Sequence, residues 1–140
     1  MVKVNDQHVI ATLLSTPARW AVVGLSNNPR RAALGVSGFL QQQLGMDIIP
    51  VSLKGEDVHG ATGYKLLADV PGRVDVVDCF VNSQRVGAVV DQAIAIGAGA
   101  VWLQLGVIDH GAAERAAAAG LNIVMDRCPA VEAPRLGLGR

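Results

Sequence analysis

Five short apolar runs, most of them separated by a segment of helical period, restrict the fold of this chain more than any other feature. They are Arg19 to Gly24, Asp47 to Val51, Val74 to Val81, Ala100 to Leu105 and Leu121 to Met125. A continuous apolar run of that length reads as a strand buried on both faces of a sheet. Ahead of the first run, Val9, Ile10, Leu13 and Leu14 share one helical face, with Asp6 or Asn5 placed to cap it and Pro17 to stop it. After the first run and a polar loop, Ala33, Val36, Phe39, Leu40 and Leu44 recur at helical spacing up to Gly45. Ser83 stands where it can cap a helix striped with Val86, Val89, Val90, Ala93 and Ile94 and closed by Gly97. Asp109 opens an alanine-rich helix that Gly120 ends, and a tail punctuated by prolines follows the last strand. Lys54 to Gly63 is read as a glycine-bearing linker with a short helical turn near Leu66 to Asp69.

Parallel strands joined through helices need crossover connections, and these are right-handed. The pattern therefore predicts a Rossmann-like, doubly wound, mainly parallel five-stranded sheet with helices on both faces. With 140 residues, the chain has the length of one domain, predicted over 1–140, and can bury a continuous core without disulfides or metals. Apolar residues at 51% and charged ones at 17% exclude a disordered segment. Twelve basic and twelve acidic side chains cancel, so no global field draws nucleic acid or an anionic membrane, and any anion site must be local. The apolar stretch Val86 to Ile108 is broken by Asp91, Gln92, Gln104 and glycines, which argues against a membrane span. No secretory pattern marks the N-terminus, and Cys79 and Cys128 form neither a disulfide framework nor a metal spacing, so two reduced thiols and a cytoplasmic location are expected.

In a doubly wound sheet the ligand crevice opens at the carboxyl ends of the strands where the winding reverses, beside the loop after the first strand. Gly24-Leu25-Ser26-Asn27-Asn28-Pro29-Arg30-Arg31 is that loop, and it delivers unpaired backbone N–H groups and the positive end of the helix dipole to the crevice. Arg30 and Arg31 add guanidinium groups suited to phosphate oxygens, although both are equally compatible with a solvated surface. Of the three glycines of a dinucleotide fingerprint only Gly24 is present, and the Gly-Lys-Ser/Thr ending of a Walker loop is absent. Where an NAD site places a ribose-binding carboxylate, this chain has Val51, Ser52, Leu53 and Lys54. A hydroxyl and a lysine there suit a phosphorylated ribose, as in CoA or NADP, with Glu56 and Asp57 opposing.

Along nearly its whole length the chain resembles the small stand-alone CoA-binding proteins, whose domain is similar to the N-terminal domain of the succinyl-CoA synthetase α subunit. The residues that carry the likeness are Ala21-Val22-Val23-Gly24-Leu25-Ser26 with Asn28-Pro29-Arg30, Ile49-Pro50-Val51, Val74 to Phe80, Val101-Trp102-Leu103-Gln104 with Gly106, and Met125-Asp126-Arg127-Cys128 with Glu132 and Arg135-Leu136. The resemblance implies coenzyme A or an acyl-CoA as the ligand. It would lie over Gly24, Leu25, Ser26, Asn27, Pro29, Arg30 and Arg31, touch Val51, Ser52 and Lys54, and pass Phe80, Val81, Asn82, Gln104, Leu105 and Gly106. Two positions depart from the family pattern: Ser52-Leu53 replaces its Asn-Pro, and Val81 replaces an arginine frequent after the phenylalanine.

The synthetase relatives use a histidine on another domain, and His8, His59 and His110 form no cluster in the sequence. The expectation is a non-catalytic binding or sensing module with no metal, no nucleic acid and no membrane. An NADP- or other nucleotide-dependent enzyme, and an interaction subunit with a vestigial crevice, remain open. A homo-oligomer or protein partner is compatible, with the Ala116 to Ala119 helix as a contact face. Asp78 in the third strand is read as hydrogen-bonded and structural, because a buried carboxylate needs partners. Arg127, Glu132 and Arg135 are read as paired charges pinning the tail across the crevice mouth. Cys128, beside Arg127 in a loop past the fifth strand, has a setting in which a thiolate can exchange with a ligand thiol, but it is read as a plain reduced thiol without that role.

Overall fold

A computed structural model describes residues 3–139. Five strands, β1 (Arg19–Val23), β2 (Asp47–Val51), β3 (Val76–Cys79), β4 (Ala100–Leu103) and β5 (Asn122–Val124), pair in parallel in the order β2-β1-β3-β4-β5. This is a doubly wound order whose winding reverses between β1 and β3, so the crevice falls beside the loop that follows β1, as expected. Helices α1 (Gln7–Ser15), α2 (Ala32–Gln42) and α5 (Pro129–Arg135) cover one face; α3 (Val86–Ala95) and α4 (His110–Ala118) cover the other.

Alternation along the strands sorts the core. Trp20, Val22, Val76, Ala100, Trp102 and Val124 pack beneath α1, α2 and α5, while Ala21, Val77, Cys79, Val101, Leu103 and Ile123 pack beneath α3 and α4. Trp20 and Trp102 are fully buried with ring centroids 5.6 Å apart, and the Trp102 indole N–H donates to the Arg127 carbonyl at 2.8 Å. Pro50 lacks an N–H, and it is tolerated because β2 is an edge strand. The Pro50 carbonyl instead accepts from Tyr64 N–H at 2.9 Å, and Ser52 N–H donates to the Tyr64 carbonyl at 3.0 Å, so the linker returns to pair in parallel with the end of β2.

Asp6 is the cap of α1, accepting from His8 N–H at 2.9 Å and Val9 N–H at 3.3 Å. Asn5 acts elsewhere. Its side chain donates to the Met125 carbonyl at 3.0 Å and accepts from Met125 N–H at 2.7 Å, tying the entry of α1 to the end of β5.

Three expectations are corrected. Asn82, not Ser83, caps the turn into α3, its side-chain oxygen accepting from Gln84 and Arg85 N–H at 3.1 and 3.0 Å. Ser83 instead ties the β3 and β4 loops together, its hydroxyl donating to the Gly106 carbonyl at 3.2 Å and accepting from Ile108 N–H at 2.9 Å. The tail contains the helix α5, because Pro129 occupies its first turn, where a missing N–H costs nothing. Its Arg135–Glu132 ion pair at 3.3 Å lies within that helix, and Arg127 Nη1 donates to the Asp126 carbonyl, so these charges do not strap the crevice. In the Ala116 to Ala119 stretch read as a contact face, Ala116 is buried in the core while Ala118 and Ala119 are exposed.

Candidate functional site

β1 ends against β3 so closely that Gly24 has no substitute. Its φ is +93°, and a Cβ there would stand 2.6 Å from the Phe80 carbonyl oxygen. That approach lets the chain turn directly into the crevice and start α2 above it. The loop between is held by its own side chains: Ser26 Oγ accepts from Asn28 N–H at 3.3 Å, and Asn28 Oδ1 accepts from Arg30 N–H at 3.0 Å. Helix α2 begins at Arg31 without any side-chain cap, and among the described residues the first-turn N–H groups of Ala32 and Ala33 have no acceptor. Capless helix N-termini favour anions, through both the free donors and the dipole.

Those groups open onto a crevice of about 370 Å³ at the carboxyl ends of β1, β3 and β4. Of the sixteen residues expected to bind, seven line it: Gly24, Arg31, Phe80, Val81, Asn82, Gln104 and Leu105. Sequence reasoning missed Ala32, Ala33, Val36 and Val107 in its wall; Cys128, singled out for its chemistry, also lines it. Among the described residues no acidic side chain does, and Arg31 supplies the charge. Gln104 is 6% exposed, and among the described residues its side-chain oxygen has no hydrogen-bond partner.

The other expected residues stand apart from this wall. Leu25 and Val51 are buried in the core, so a ligand can meet only their backbone. Arg30 and Lys54 are exposed, and Ser52 Oγ accepts from Gly55 N–H at 3.1 Å. Pro29 lines a separate groove of about 490 Å³ beside α2, with Gly35, Gly38 and His59. Gly106 N–H donates to Asp126 Oδ1 at 2.8 Å and braces the two loops. Asn27 N–H donates to Glu56 Oε1 at 2.7 Å and its side chain to the Asp57 carbonyl at 2.9 Å, so a carboxylate already occupies one amide of the β1–α2 loop.

Asp78 departs most from expectation, since among the described residues neither carboxylate oxygen has a hydrogen-bond partner although the residue is fully buried. Burial pushes its carboxyl well above the usual carboxylate range, and burial together with Asp78 pushes the neighbouring Cys79 thiol up. Asp75 moves the other way, lowered chiefly because Arg19 N–H donates to it at 2.9 Å. His8, His59 and His110 lie in α1, the linker and the start of α4, and among the described residues no group of acidic, His and Cys side chains has the arrangement of a metal site.

Residues 18–134 match the family described as a CoA binding domain. The chain belongs to that family. Its relative YneT from Bacillus subtilis (strain 168) is 30% identical over 119 residues, covering 85% of this chain and 87% of YneT. The alpha subunit of ADP-forming acetate–CoA ligase II from Pyrococcus furiosus is 35% identical over 60 residues, 43% of this chain and 13% of that subunit. A hypothetical protein from Pyrococcus horikoshii OT3 superposes with a TM-score of 0.87 at 37% identity, covering 94% of this chain and 92% of its own. Within the CoA-binding-domain family, then, this chain combines a capless α2, an acid-free crevice and a thiol in its wall. Among the described residues, no helix is long and apolar enough to cross a membrane.

Proposed function

We propose that this chain binds coenzyme A or an acyl-CoA in the crevice at the carboxyl edge of the sheet, as a non-catalytic binding or sensing module. The diphosphate sits at the start of α2, against the free N–H groups of Ala32 and Ala33 and the Arg31 guanidinium. The adenosine end extends past β2 toward Ser52 and Lys54, and the pantetheine arm crosses Phe80 to Asn82 and Gln104 to Gly106. One observation carries the reading: the capless helix start opens at the β1/β3 switch point into a crevice with no acidic wall, in a member of the CoA-binding-domain family. The buried free thiols Cys79 and Cys128 fit a reducing compartment, and the cytoplasm is the location we assign.

Calorimetry with CoA, dephospho-CoA and NADPH tests it. CoA binds, dephospho-CoA binds more weakly, and NADPH gives little heat if the reading holds. Equal affinity for all three refutes it.

A further inference from the structure

Cys128 is a free thiol, 7% exposed, in the wall of the crevice with Gly24, Ala33, Phe80 and Gln104. Its position is fixed from both sides. Before it, the Trp102 indole holds the Arg127 carbonyl at 2.8 Å and Asp126 Oδ1 holds Gly106 N–H at 2.8 Å. After it, Val131 and Glu132 N–H donate to the Cys128 carbonyl at 3.0 and 2.9 Å, so the residue opens α5 and cannot swing away. The second observation is Gln104: this side chain lines the same crevice, is more than nine-tenths buried, and keeps an unpartnered oxygen. A small turn of that side chain offers a free acceptor to an N–H brought by a ligand. The pantetheine arm of CoA carries two amide N–H groups and ends in a thiol.

The strand order supplies a direction. With the adenosine end at β2 and the diphosphate at the β1–α2 junction, an arm running past β3 and β4 arrives at β5, whose following loop carries Cys128. Four inter-strand steps of about 4.8 Å make a path of roughly 19 Å, within reach of an extended ligand of this kind. Cys79 offers no such meeting point, since its side chain is wholly enclosed beneath α3 and α4.

We propose that Cys128 is a covalent anchoring site that forms a mixed disulfide with the thiol end of coenzyme A, an inference resting on the CoA reading above. The reaction is thiol–disulfide exchange with CoA disulfide. The Cys128 thiolate attacks one sulfur, the Cys128–S–S–CoA bond forms as the S–S bond of CoA disulfide breaks, and the second CoA leaves as a thiolate that takes up the proton Cys128 lost. No net oxidation occurs, because one disulfide is exchanged for another. The crevice serves as the filter: a disulfide that does not fit it meets a thiol with almost no exposed surface.

The wild-type protein incubated with CoA disulfide gains the mass of one CoA less two hydrogens, mapped to the peptide of Cys128 and removed by dithiothreitol. Cys128→Ser gains nothing. Glutathione disulfide reacts more slowly by about tenfold or more, as expected when binding supplies the proximity. An adduct on Cys79, an adduct persisting in Cys128→Ser, or equal rates with the two disulfides overturns the anchoring site. Calorimetry of wild-type protein with reduced CoA in dithiothreitol separates the two readings. Binding there, with no adduct formed when CoA disulfide is added in the absence of dithiothreitol, sinks the anchoring site alone, and neither binding nor adduct sinks both.

Discussion

Arg31 and Arg30 are adjacent, yet only Arg31 lines the crevice. Arg31→Ala is therefore expected to weaken CoA binding by about 1–3 kcal/mol, the range of a charge-assisted hydrogen bond, and Arg30→Ala by clearly less; calorimetry that ranks them the other way removes Arg31 from the site. Glu56 works against the same ligand, since its carboxylate holds the Asn27 amide that an anion would use. Asp78 shapes stability rather than binding. Its folded-state carboxyl titrates well above 3.8, so the stabilisation it offers is complete below the unfolded value and is lost as pH rises through the folded one. Urea unfolding between about pH 4 and pH 8 should show the wild type losing stability relative to Asp78→Asn, at up to about 1.4 kcal/mol per pH unit. Parallel pH profiles for the two proteins would mean that Asp78 is solvated or paired. Asp75, lowered by the Arg19 amide, contributes in the opposite sense: its stabilisation is present above 3.8 and lost as pH falls through its folded value.

Elements in this fold are joined by a few side chains placed between them. Asn5 closes a two-bond clamp on Met125 and so couples the entry of α1 to β5 across nearly the whole sequence. Asn5→Ala should cost about 1–3 kcal/mol in chemical denaturation and speed amide exchange at Met125, because a partly buried N–H and carbonyl lose their partners. Unchanged exchange at Met125 would show that the clamp is not formed. Local signals named most helices correctly: Asp6 and Asp109 cap where a cap was expected, and Gly45, Gly97 and Gly120 lie just beyond the ends of α2, α3 and α4. They failed where two polar residues competed for one role. Asn82 and Ser83 are neighbours with equal capping propensity, and the choice fell to Asn82 because the β4 loop engages the Ser83 hydroxyl. Helix α5 was hidden by its prolines, which read as breakers until Pro129 is seen in the first turn, where it is tolerated.

For the whole molecule, a ligand that binds only the folded state stabilises it by mass action, about 2.7 kcal/mol at a hundred times the dissociation constant. CoA at that excess should raise the melting temperature by several degrees, and a melt that does not move would count against the crevice as a site. The architecture itself was legible in the chain. Five apolar runs, most of them separated by helical periods and turn glycines, admit few arrangements other than a parallel sheet wound on both faces, because crossover handedness and burial leave little choice. The loop with Gly24 was legible for the same reason, since doubly wound sheets bind ligands where the first strand ends. What the order of residues left open were matters of distance between segments remote in sequence. Folding alone set Cys128 in one wall with Gly24 and Gln104, gave Glu56 to the Asn27 amide, and left Asp78 without a partner. Periodicity records which face a residue takes, and that depends on its near neighbours; who stands opposite depends on how whole elements pack, which no local pattern encodes.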